Sequence, residues 1–95
     1  MAWWKAMREE VIDVVNRLGL HARAASKLVQ LLGSFQSKAW LIRGSREVNA
    51  KSIMGVMLLA AAKGTTVTLR LDGPDEDAAI SAAIDLFQRR FDEAD

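Results

Sequence analysis

Residues 65–71 restrict the fold more than any other stretch: Val67, Leu69 and Leu71 fall on one side of a period-two pattern, and Thr66, Thr68 and Arg70 on the other. A strand of this kind has one face to bury and one that tolerates water, which suits an antiparallel sheet covered on a single side. Three segments of helical period can supply the cover. Residues 22–32 place Ala25, Leu28, Leu31 and Leu32 on one side and close at Gly33-Ser34. Ser52 starts a second helix, expected to run toward Ala62 and stop at Lys63-Gly64. Gly73-Pro74-Asp75 opens a third, with a buried stripe of Ile80, Ala83, Ile84, Phe87 and Phe91. The other strands are read at 11–15, 37–43 and 46–49, the first from its β-branched residues. The order βαββαβα predicts an α+β open-faced sandwich, a four-stranded antiparallel sheet with three helices on one face. At 95 residues this makes one domain, 1–95.

Composition closes several routes to function. The absence of cysteine excludes disulfides, thiol catalysis and thiolate metal sites, and a single histidine argues against zinc. Residues 1–10 mix Lys5, Arg8, Glu9 and Glu10 with tryptophans and lack a signal-peptide core. The longest apolar run, 56–62, is seven residues and too short to span a bilayer. A cytoplasmic protein without membrane insertion is expected. The net charge of +1 hides an asymmetry: the first seventy residues carry eleven Lys/Arg against four Asp/Glu, the last twenty-five two against eight. The basic portion contains the histidine, so its surroundings should favour anionic ligands or acidic partner surfaces.

That histidine lies in Leu18-Gly19-Leu20-His21-Ala22-Arg23-Ala24-Ala25. A glycine two residues earlier permits a sharp bend, and the alanines start a helix at little cost. If the helix begins just after His21, the Ala22 and Arg23 amides, the positive end of the helix dipole and a guanidinium converge on one point. Such a point is an anion site, and a phosphoryl group on the His21 ring would fit it. A surface histidine serving only as a helix cap is the alternative at this stage. No paired carboxylates, nucleophile–base pair or metal set accompanies it, so catalysis on a small molecule is not expected.

Two motifs carry a resemblance to a known family. Asn16-Arg17-Leu18-Gly19-Leu20-His21-Ala22-Arg23 is similar to the phosphorylation loop of the histidine-containing phosphocarrier (HPr) family of the bacterial phosphotransferase system. Asn49-Ala50-Lys51-Ser52-Ile53-Met54-Gly55 is similar to that family's regulatory-serine segment. The likeness spans residues 11–91, with its details closest to the proteobacterial HPr and nitrogen-branch NPr types; residues 1–8 form a leader outside it. The resemblance implies a monomeric carrier, not an enzyme, that needs no cofactor. It implies that His21 accepts phosphate from phosphorylated enzyme I and passes it to an enzyme IIA. Ala22, Arg23 and Asn16 would contact the phosphate, with Arg23 stabilising the charge in transfer and Arg17 at the rim. Ser52 looks like the serine modified by HPr kinase/phosphorylase, although serine before an apolar helix is first of all an N-cap. Ile53, Met54 and Met57 would present an adaptable partner surface beside His21, with at least one of them expected in the core.

Ala24 departs from the family pattern, where proline is common, and Trp3 and Trp4 in residues 1–5 fall outside it. A protein-binding regulatory module that carries no phosphate is one alternative. A single-stranded nucleic-acid binder is another, disfavoured because Trp40 is the one plausible aromatic on a strand face and the net charge is near zero. The sequence leaves the downstream branch, sugar or nitrogen, open.

Overall fold

A computed structural model of the chain describes residues 7–93. β1 is Arg8–Asp13, α1 Ala22–Gly33, β2 Lys38–Arg43, β3 Arg46–Asn49, α2 Ile53–Leu58, β4 Thr66–Asp72 and α3 Glu76–Gln88, followed by a 3-10 turn at Arg90–Asp92. The strands form one antiparallel sheet in the order β1-β4-β2-β3, so the cleanly alternating strand is central. Register sorts the faces. Ile12 lies opposite Val67, Leu41 opposite Leu69 and Ala39 opposite Leu71, and all six are buried beneath the helices. α1 contributes Ala24, Ala25, Leu28 and Leu32, and α3 contributes Ala79, Ile80, Ala83, Leu86 and Phe87. Each fully buried Leu or Phe contributes about 1.5–3 kcal/mol, so these inward faces hold the two helices in place. No helix among the described residues is long and apolar enough to cross a membrane.

Three expectations change. The first strand is Arg8–Asp13 rather than 11–15, because its partner β4 fixes the register from Arg8 opposite Leu71 to Asp13 opposite Thr66. Residue 8 therefore belongs to the sheet and not to a leader. Val14 is buried just past the strand, where its N–H donates to Thr65 O at 2.9 Å.

The second helix is only six residues long and stops at Leu58, well short of Ala62. Arg46 donates to Leu58 O at 2.6 Å and Arg43 to Leu59 O at 2.9 Å, capturing carbonyls that a longer helix would bond internally. Ala60 follows in the left-handed region at φ 51°.

The third helix ends at Gln88, so Phe91 is not on its stripe. Arg90, Phe91 and Asp92 take φ values of 57°, 56° and 61°, and the turn drives Phe91 into the core, edge-on to Phe87 at 4.9 Å. Left-handed backbone costs roughly 1–2 kcal/mol at each non-glycine residue, and burying Phe91, worth about 1.5–3 kcal/mol, offsets part of the cost of the three. Ile84 and Leu31 are half-buried at the margins. Trp3 and Trp4 lie outside the described residues.

Candidate functional site at the start of the first helix

His21 is the N-cap of α1. Its backbone is extended (φ −73°, ψ −179°), and its Nδ1 accepts from the Arg23 N–H at 3.3 Å. The Ala22 and Ala24 amides share that first turn, where an α-helix has no internal acceptor for them. Gly19 makes this approach possible. It sits at φ 64°, and a Cβ there would come within 2.4 Å of Ala61 O, so no other residue lets the loop lie against the segment that follows α2. Leu20 N–H then donates to Ala61 O at 2.9 Å, locking the loop in place.

The far side of the imidazole meets a residue the sequence reading did not select. His21 Nε2 lies 2.6 Å from Glu93 Oε2, and the second carboxylate oxygen accepts from Asn16 Nδ2 at 3.1 Å. Burial pushes the Glu93 carboxyl upward, but its bonds from His21 and Asn16 and the charge of Lys27 outweigh this and hold it below the usual range. Glu93 is therefore ionised at neutral pH and can only accept, which makes Nε2 the donor. Nδ1, itself accepting from an amide, keeps its lone pair. With Nε2 turned to the carboxylate and Nδ1 to the Arg23 amide, the geometry favours a proton on Nε2 and leaves the Nδ1 lone pair facing the helix amides.

The other selected residues divide. Ala22 and Arg23 are exposed and line one open cleft with Arg17, Leu18, His21, Asp92 and Glu93. Asn16 is fully buried, and its amide serves Gly19 O at 2.8 Å and Glu93 rather than the side of the ring that bears Nδ1. The turn at 90–92 also brings two acidic residues, Asp92 and Glu93, to the cleft that holds Arg17 and Arg23. Ala24 is buried against the core, so its methyl packs where the family pattern often has proline.

Ser52 caps α2, with its Oγ accepting from Gly55 N–H at 3.1 Å. A Cβ on Gly55 would approach Asn49 O to 3.1 Å, which explains a glycine inside so short a helix. Ile53, Met54 and Met57 are all exposed, at 41%, 71% and 40%, so the expectation of a core residue among them is corrected. A six-residue helix has one inward position, and Val56 fills it. Leu18 and Leu58, at 58% and 60%, are the other large exposed apolar residues of this loop and helix. Neither was selected, although an apolar residue inside a polar loop was a usable signal for Leu18. Glu93 gave no local signal, because it lies 72 residues from His21.

The open face of the sheet is charge-compensated. Trp40 lies opposite Arg70 and Asn49, and Arg70 is bound by Glu9 at 2.6 Å and Glu47 at 2.9 Å. No aromatic platform with free cations is formed by these residues.

Comparison with known proteins follows the same residues. A family profile described as the phosphotransferase-system HPr component phosphorylation site matches residues 8–89. The phosphocarrier protein HPr of Xylella fastidiosa (strain Temecula1) is 56% identical over 87 residues, covering 92% of this chain and 98% of that protein. Its counterpart in Cupriavidus necator is 55% identical over 89 residues, covering 94% and 100%. The crystal structure of HPr-C-His from Thermoanaerobacter tengcongensis is similar at a TM-score of 0.88 with 43% identity, covering 90% of this chain and 97% of that one.

Proposed function

Because the chain belongs to the HPr family of phosphotransferase-system phosphocarriers, we propose that His21 is the residue that carries the phosphoryl group. The observation that supports this most is the ring itself: Nε2 is occupied by Glu93, and Nδ1 keeps its lone pair beside the first-turn amides of α1. In the transfer, the Nδ1 lone pair forms the new P–N bond. The bond to the donor breaks with its electron pair returning to the donor. The Arg23 N–H, now displaced from Nδ1, and its neighbour amides lie where phosphate oxygens arrive, with the helix dipole favouring negative charge. The Arg23 guanidinium neutralises the charge that develops in flight. The group remains in an open cleft, as a relay requires.

The donor in this reading is phosphorylated enzyme I and the acceptor an enzyme IIA, each docking in turn on Leu18, Ile53, Met54, Met57 and Leu58, with Arg17 at the edge. An apolar patch rich in methionine beside the reacting ring suits successive partners of different shape. Ser52 is in the first place the cap of α2; as a phosphorylation site it would give up the Gly55 bond and place a double negative charge at the edge of that patch.

Incubation with phosphoenolpyruvate and enzyme I, followed by intact mass and an acid-lability assay, tests the reading. The chain gains one acid-labile phosphoryl group, and His21→Ala gains none while keeping its fold. Label that persists in His21→Ala, or that survives acid, overturns it.

A further inference from the structure

We propose that Glu93 is a positioning residue for the transfer: its carboxylate holds a proton on Nε2 of His21 in both the free and the phosphorylated ring. The proposal rests on the reading of His21 as the phosphoryl carrier.

The chemistry on the two sides of the ring is linked. When the neutral Nε2–H imidazole takes a phosphoryl group on Nδ1, no proton moves and the ring acquires one formal positive charge. When the group moves on, the P–N electron pair returns to Nδ1 and the ring departs as neutral imidazole. If the phosphorylated ring instead lost its Nε2 proton to water, the departing group would be an imidazolate, a far poorer leaving group. A carboxylate 2.6 Å from Nε2 opposes that loss by favouring the positively charged ring. A carboxylate that orients and charge-balances a histidine performs the same service in other active sites.

The carboxylate is held for this purpose. The Glu93 side chain is only 10% exposed. Asn16 Nδ2 grips Oε1, and the left-handed turn with buried Phe91 fixes the backbone just before it. Lys27 on α1 donates to Phe91 O at 2.6 Å and stabilises the ionised carboxylate from a second element. The other charged groups near the ring are Arg17 before α1, Arg23 on it and Asp92 beside Glu93. The Glu93 side chain is hydrogen-bonded directly to a ring nitrogen.

Loading the full chain with phosphate, removing enzyme I, and following phosphohistidine hydrolysis from about pH 6 to about pH 10 isolates the effect from any partner's titration. In Glu93→Gln, which keeps the size and a hydrogen-bond acceptor, the alkaline fall in hydrolysis moves down by about one pH unit. The rate on that limb is then roughly tenfold lower than in the unmodified chain. At the acid end the two proteins hydrolyse alike, and thermal unfolding confirms that the variant is folded. Superimposed profiles, or a uniform change at every pH, overturn the proposal. Intact mass at the loading step keeps the two readings separate: no phosphoryl on the unmodified chain refutes the carrier, whereas equal loading with identical profiles refutes only Glu93.

Discussion

α1 and α2 begin alike and are held differently. Each starts on a residue in extended backbone whose side chain accepts from a first-turn amide, His21 from Arg23 at 3.3 Å and Ser52 from Gly55 at 3.1 Å. Behind the first lie twelve residues, four of them buried; behind the second lie six, with Val56 alone buried. A helix anchored along its length does not depend on its cap, so the residue there is available for chemistry. A helix with one inward side chain needs its cap to exist. In the proposed reading the same position is thus a working group in one helix and a structural clasp in the other.

The largest expected consequence falls on the first helix. Arg23→Ala slows transfer from enzyme I by roughly ten- to a thousandfold, about 1.4–4 kcal/mol by analogy with the loss of one oxyanion donor. Because Arg23 is exposed, the unfolding midpoint stays put. Rapid-quench kinetics beside thermal melts checks both, and unchanged kinetics would mean that the helix amides suffice.

Ser52→Asp probes the second helix without removing its cap, since aspartate caps as well as serine and favours the helix dipole. Binding to enzyme I weakens roughly ten- to a hundredfold through like-charge repulsion at the patch edge, while stability is kept. Calorimetric titration with parallel unfolding separates the two; intact affinity with lowered stability would make Ser52 a structural cap alone.

Ser52→Ala sharpens the contrast. Loss of the cap costs about 1 kcal/mol, a fall of roughly 4–8 °C in the melting midpoint for a chain of this size. His21→Ala, tested in the same melts, falls by less. Equal losses would erase the distinction between the two helix starts.

α3 offers a third case and the smallest effect. Asp75 stands at its N-cap but makes no side-chain cap bond, reaching instead to Ser37 Oγ at 2.5 Å and to the Gln36 and Ser37 amides. The Ser37 hydroxyl, with the Gln36 amide next, holds the Asp75 carboxyl below its ordinary value. A carboxyl depressed on folding contributes stability that is present above its unfolded value, near pH 4, and is lost as pH falls through the folded one. Asp75→Asn therefore lowers the melting midpoint at neutral pH and flattens its decline on acidification. An acid limb that matches the unmodified chain would place the sensitivity elsewhere.

What the sequence revealed tracks how local each cause is. The bounds of β3 and the start of α1 are set by Gly44, Gly19 and the alanines after His21, all within a few residues, and both were legible. The end of α2 was not: residues 58–62 are good helix formers, and only Arg43 and Arg46, brought in by the β2–β3 hairpin, draw its last carbonyls away. β-Branched residues pointed to 11–15 for the first strand, whereas the register with β4 decides it. At the site, His21 and Arg23 were readable from short-range pattern. Asn16 was selected as a phosphate contact, but its amide serves Gly19 O and Glu93, one step back from Nδ1, and Glu93 is far away in sequence.

The left-handed turn at residues 90–92 has a consequence in time as well as in space. During synthesis the loop around His21 and the residues of α1 emerge early. A chain interrupted between residues 34 and 92 contains the residues of that half of the site and lacks the carboxylate. The imidazole meets Glu93 only in a chain that extends past α3 and the turn that buries Phe91. If Glu93 acts as proposed, full reactivity of the first element of the site reports that the last element has folded.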